Sequence, residues 1–261
     1  MKRKFPDGMD PRTVCLSVDV EWANPDVLAD LRMLLDERGL RATFFVTHGG
    51  VDVPGHERGI HPNFRRDGDV VKAIGTRVAD DAGAPDDAAV YEHVVAAFKD
   101  FAPEARGVRA HSLHYDSLLL PIYQRHGIQY DSSYQMPLLA DLRPFWKEYG
   151  ILEMPIYFND HFELKTGAVG LDASNVDLDA PGLKIFLLHP NIVYLNAESN
   201  GRYLASKAFY HDPDRLLAAR HQGRGIRSFL VDLLDRLARK GTPSMTLGQV
   251  NALWRPHASS N

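Results

Sequence analysis

Short apolar runs that end in a polar residue alternate along this chain with amphipathic stretches of helical period. Thr13-Val14-Cys15-Leu16-Ser17-Val18 is β-branched and apolar, ends at Asp19, and is followed by Val27, Leu28, Leu31, Leu34 and Leu35 on one helical face. The pattern predicts a strand and then a helix over 25–38, opened by Asn24-Pro25 as cap and first turn and stopped at Gly39. Residues 42–47 and 56–61 read as the second and third strands, and Pro62, Asn63 and Gly68 mark a long loop. Helices are expected over 90–101, 116–126 and 224–240. The last of these sets Ile226, Phe229, Leu230, Leu233, Leu234 and Leu237 on one face. Further strands are expected at 107–110, 128–131, around 151–158 and 183–188, with Met245-Thr246-Leu247 closing the sheet. Residues 159–182 are rich in Asp, Gly and Asn with weak periodicity, and are read as an excursion beside the site.

Strands alternating with helices imply parallel strands with helices outside, as a barrel or as an open doubly wound sheet. In both, ligands bind just past the C-terminal ends of the strands. Those ends carry Asp19 and Glu21, then His48, His61 and Asn63, Arg109 and His111, Asp131, Asp160 and His161, and His189. Carboxylates and imidazoles thus converge on one rim, whereas His56 starts its strand and belongs to the opposite, structural end. All 261 residues are read as a single domain with residues 1–10 a frayed terminus.

Composition narrows the function classes. Interspersed charges summing to −4 leave no basic stripe for nucleic acid. No window approaches the ~18 apolar residues of a membrane helix, and Lys2-Arg3-Lys4 precedes Phe5-Pro6-Asp7-Gly8 rather than an apolar run, so a cytoplasmic protein is expected. The single cysteine, Cys15, sits in an apolar run and reads as a buried hydrophobe. A Gly-x-Ser-x-Gly elbow and a Gly-rich phosphate loop are both missing, which disfavours a serine hydrolase and a nucleotide enzyme. Nothing in the chain specifies an oligomeric state.

The rim residues suggest a division of labour. In Asp19-Val20-Glu21 one carboxylate can hold a cation while the other accepts a proton from water; the two lie on one side only if the backbone turns there. His61 can ligate a metal through one ring nitrogen with the other held by an acceptor. Arg109 offers a fixed cation to a catalytic carboxylate, and His189, after the buried run Ile185-Phe186-Leu187-Leu188, is placed to protonate a leaving amine. Asn63, Asp131 and Asp160 are the candidate substrate contacts.

These residues, in order, resemble the polysaccharide deacetylases that share the NodB homology domain, carbohydrate esterase family 4. Ala42-Thr43-Phe44-Phe45-Val46 repeats a family phrase, and Gly55-His56-Glu57-Arg58-Gly59-Ile60-His61 parallels the motif that supplies the first metal histidine. Arg109-Ala110-His111 parallels Arg-x-Pro, and Phe186-Leu187-Leu188-His189 parallels Leu-x-x-His. Gly127-Ile128-Gln129-Tyr130-Asp131-Ser132-Ser133 is similar to a phrase that commonly precedes the fourth motif. Thr47-His48 and His61-Pro62-Asn63-Phe64 look most like a branch associated with bacterial O-antigen and surface-polysaccharide gene clusters.

The resemblance implies a distorted (β/α) barrel of about seven parallel strands that removes an N-acyl, chiefly acetyl, group from a sugar. The sugar would be nucleotide-, lipid- or polymer-linked. It also implies a divalent cation, zinc first, with cobalt, nickel or manganese as alternatives. Asp19 would be the base, His189 the acid, and Arg109 the residue that holds Asp19. The chain departs from the family pattern at the metal: Asp19-Val20-Glu21 replaces two adjacent aspartates, and Arg65 stands where the second metal histidine is expected. The metal carboxylate is therefore Glu21 or Asp19, and the third ligand His111 or His48. The departures keep two rival readings open, a metal-independent amidohydrolase on the same fold and a silent sugar-binding or complex-forming subunit.

Overall fold

The computed structural model describes residues 5–65, 68, 71, 72 and 86–258. Among them nine strands form one sheet: β1 (Val14–Asp19), β2 (Ala42–Val46), β3 (Glu57–Ile60), β4 (Gly107–Val108), β5 (Tyr130–Asp131), β6 (Phe145–Trp146), β7 (Leu152–Glu153), β8 (Phe158–Asn159) and β9 (Lys184–Leu188). Their order is β6-β7-β5-β4-β3-β2-β1-β9-β8, and every neighbouring pair is parallel except β6 with β7. The sheet curls into a half-barrel with helices packed outside, which is the fold the family resemblance implies. The run around 151–158, expected as one strand, is two, because Met154 to Tyr157 carry the chain from the β5 side of the sheet to the β9 side.

The outer layer follows from simple capping and patterning. Helix α1 (Pro25–Asp36) begins where the Asn24 side chain accepts the Asp26 N–H, has Pro25 in its first turn, and buries the apolar stripe from Val27 to Leu35. Helix α2 (Asp87–Phe101) is capped by Asp86, α3 (Leu119–Arg125) packs beside it, and α4 (Asp160–Thr166) is capped by Asn159. Three short helices follow, α5 (Pro190–Tyr194), α6 (Asn200–Ser206) and α7 (Pro213–Ala218), and then the long α8 (Ile226–Lys240), whose six predicted core residues are all buried. Met245 does bond to β1, donating its N–H to the Val14 carbonyl, but the chain then enters a further helix, α9 (Leu247–Ala258).

The concave face grades from apolar to polar along the strands. At the N-terminal end Cys15, Phe45, Tyr130, Leu152 and Ile185 form a cluster plugged by Leu247, Val250 and Trp254 of α9. Gly59 and Gly107 make room for the large rings: a Cβ on Gly107 would sit 2.0 Å from the Tyr130 ring, and one on Gly59 2.7 Å from Phe45. Phe5 meets Trp254 edge-on and Met9 is buried, which corrects the expectation of a terminus frayed through residue 10; residues 1–4 lie outside those described. Among the described residues no helix is long and apolar enough to cross a membrane.

At the C-terminal end the same face turns polar. Strand register places Asp19 beside His189 and carries His61 and Arg109 out of adjacent strands, since His61 bonds the Val46 carbonyl and Arg109 that of Ile60.

Candidate active site

Directly after β1 the backbone turns sharply: Glu21 (φ 51°) and Trp22 (φ 54°) both adopt the left-handed conformation. Such consecutive non-glycine residues cost roughly 1–3 kcal/mol each and persist only where surrounding contacts hold them. Here the Thr47 hydroxyl accepts the Trp22 N–H at 3.1 Å. The turn sets Asp19 and Glu21 on one side, over the concave face.

Glu21 is the hub. Its Oε1 lies 3.0 Å from His61 Nε2 and 2.8 Å from His111 Nδ1, while Asp19 Oδ2 is 3.7 Å from the same His61 nitrogen. Glu21, His61 and His111 offer three ligand atoms within 4.8 Å of one another, and Asp19, Glu21 and His189 make a second, overlapping group. His61 is fully buried, and its Nδ1 is 2.7 Å from the Arg109 carbonyl, which can only accept. In the neutral ring the proton is therefore fixed on Nδ1, and the Nε2 lone pair faces Glu21, the orientation in which an imidazole binds a cation. One carboxylate and two imidazoles are a donor set that would suit a borderline divalent ion.

The charges reinforce one another. Burial pushes the Glu21 carboxyl up, but hydrogen bonds from His111 and His61 and the charges of His61 and His189 outweigh it, so the group lies well below the usual carboxylate range. For His61 burial acts downward, and the Asp19 and Glu21 carboxylates win, raising it above an ordinary imidazole.

Asp19 is held from below by Arg109, whose side chain is wholly buried. Arg109 Nη1 donates to Asp19 Oδ1 at 3.0 Å and to the Ser17 hydroxyl at 2.9 Å. Nε and Nη2 donate to the Ser132 carbonyl and hydroxyl, and the guanidinium stacks on Phe45 at 4.4 Å. Across the cleft His189 Nδ1 lies 2.5 Å from Asp160 Oδ1, and the His189 N–H donates to Asp160 Oδ2 at 2.7 Å. Burial lowers the His189 imidazole, but Asp160, and after it Asp19 and Glu21, carry it up to about 9.

Three sequence assignments are corrected by these positions. His48 Nδ1 lies 2.9 Å from Thr47 Oγ1, and the residue joins neither ligand group. Asp131 is buried under Lys147 and Ser133, at 2.6 Å from each, and lines no part of the cleft. Asp160 faces His189 rather than the cleft. Arg65, exposed on the loop, donates its N–H to Asn63 Oδ1.

Two cavities of about 440 and 510 Å³ share Glu21, His111 and Lys207 and form one cleft, ample for a sugar. The first runs over Asp19, His189, His161, Tyr203 and Lys165. The second runs over Trp22 and Asn63 to Tyr210 and His211. Sequence reasoning passed over Tyr203, Lys207 and Tyr210, which come from the short helix α6 and the turn that follows it; His161 was visible beside Asp160 at its strand end but received no role.

The model of the WbmS-like polysaccharide deacetylases matches residues 16–207. The chain belongs to this family. As a WbmS-like protein it falls among hydrolases of carbon–nitrogen bonds. A Bordetella bronchiseptica protein assigned to polysaccharide deacetylation in O-antigen biosynthesis is 26% identical, with a TM-score of 0.71 over 85% of this chain and 90% of that one. A structure from Mycobacterium smegmatis, 14% identical with a TM-score of 0.54 over 98% and 96% of the two chains, shares the fold. No curated protein matches the sequence. Family and fold agree with the resemblance read from the motifs.

Proposed function

We propose that this WbmS-like protein removes an N-acetyl group from an amino sugar of a surface polysaccharide or its precursor, with a divalent cation held by Glu21, His61 and His111. The observation that carries this reading is the convergence of two imidazoles on Glu21 beside an Asp19 fixed by a buried arginine. The Bordetella relative's part in O-antigen biosynthesis supports the substrate class.

When bound, the cation would polarise the acyl carbonyl and acidify the attacking water. Arg109 holds Asp19 Oδ1 and leaves Asp19 Oδ2 on the side of His61, where it can take the proton from that water. Attack on the carbonyl carbon yields a tetrahedral centre. His189, kept charged by Asp160, then gives its proton to the departing sugar nitrogen, and acetate and the free amine leave. Glu21 is spent on His61 and His111, which leaves Asp19 as the carboxylate available as base.

The test is acetate release from a panel of N-acetylated sugars and sugar nucleotides by the wild type, by Asp19→Asn, and by protein treated with chelator. The reading expects release by the wild type and losses of at least a hundredfold in the other two. Full activity in chelator would favour the metal-independent hydrolase. Absence of release from every substrate in the panel, with binding retained in Asp19→Asn, would favour the silent subunit.

A further inference from the structure

Lys207 stands where both lobes of the cleft meet and, among the described residues, is the one lysine or arginine that lines both. Its ammonium donates to the Tyr203 hydroxyl at 2.7 Å and rides over the rings of Tyr203 and Tyr210, at 4.4 and 4.1 Å. These aromatic faces position the charge without neutralising it. Lys165, on α4, lines the first lobe as well. Among the described residues no carboxylate lies within ion-pair distance of either lysine. The carboxylates on the floor are already engaged, Asp19 by Arg109, Glu21 by His61 and His111, and Asp160 by His189.

A fixed ammonium without a counter-charge beside a polar cleft is completed by a ligand that brings the charge. We propose that the cleft selects sugars bearing an anionic group, a carboxylate or a phosphate, held at the rim by Lys207 with Lys165 while the acetamido group reaches the floor. The proposal rests on the deacetylase reading for the orientation of the sugar. It goes beyond that reading by making a negative charge on the substrate the determinant of selectivity.

The test is calorimetric binding of four probes to metal-loaded protein: N-acetylglucosamine, its 1-phosphate, UDP-N-acetylglucosamine and N-acetylglucosaminuronic acid. At least one anionic probe is expected to bind tenfold or more tightly than the neutral sugar, with the preference shrinking as salt rises. Lys207→Ala, an exposed change whose fold is checked by circular dichroism, should cut that preference about tenfold, Lys207→Arg should keep most of it, and Lys165→Ala should cut it less. Preference for the uronic acid alone identifies a carboxylate; preference for the phosphorylated probes identifies a phosphate.

Equal affinity for the neutral sugar, a preference untouched by Lys207→Ala, or no binding of any probe at millimolar concentration would overturn the proposal. Binding needs no turnover, so charge preference without acetate release would count against the deacetylase reading alone. Acetate release without charge preference would count against this proposal alone.

Discussion

Asp160 holds His189 at two points, one carboxylate oxygen on the imidazole Nδ1 and the other on the His189 backbone N–H. The residues come from α4 and the end of β9, so this pair ties the excursion after β8 to the rim. It fixes the ring so that Nε2 is the nitrogen free to face a substrate. Asp160 is thus a positioning residue acting through His189.

The kinetic consequence is a basic limit near pH 9. In the proposed reaction protonated His189 gives up its proton, and that form disappears as pH rises through about 9. Asp160→Asn removes the charge that raises the imidazole. Acetate-release profiles should show kcat falling about 10²- to 10⁴-fold, the basic limb moving well below 9, and KM changing little. An unmoved limb would show that His189 does not govern it.

Arg109 is predicted to matter for folding as well as catalysis. Arg109→Met would strand the Asp19 carboxylate in a buried site and take the Nε donor from the Ser132 carbonyl. It should cost about 3–5 kcal/mol in urea unfolding at neutral pH. Arg109→Lys keeps the charge but loses the fork that reaches Ser17, Asp19 and Ser132 together, and should recover only part of that stability.

A second buried ion cluster makes the contrasting prediction. Lys147 bridges Asp131 and Glu153, both at 2.6 Å. Burial and then the Asp131 charge carry Glu153 up to about 8 despite Lys147. A carboxyl raised from 4.5 binds its proton more tightly in the folded chain. The associated stability is therefore complete below about pH 4.5 and lost as pH rises through about 8. Glu153→Gln should flatten the stability–pH curve across that window, and Lys147→Met should destabilise by several kcal/mol. Folded Asp131→Asn should keep its kcat, since Asp131 lines no part of the cleft.

Much of this site was legible because a parallel sheet delivers its strand ends to one rim, and the runs ending at Asp19 and His189 are short, apolar and bounded. Helices α1 and α8 announced themselves by cap and stripe. Less could be read where contacts are distant or the backbone is unusual. The left-handed turn at Glu21 and Trp22 decides which carboxylate meets the imidazoles, and no local periodicity encodes it. Asp131 and Asp160 looked alike as acidic strand ends, yet Lys147 takes one and His189 the other. The two-residue strands β7 and β8 are too short to carry an alternating pattern, and α6 and the turn after it are too short for a stripe, so Tyr203, Lys207 and Tyr210 gave no warning of their place in the cleft.

The most direct test of the account is the metal content of gently purified protein, by elemental analysis, in the wild type and in His61→Ala, His111→Ala and His48→Ala. The account predicts about one divalent ion per chain in the wild type and in His48→Ala, and its loss in His61→Ala and His111→Ala. A wild-type chain that stays metal-free after reconstitution with zinc, cobalt, nickel or manganese, or an ion retained without His61, would contradict it.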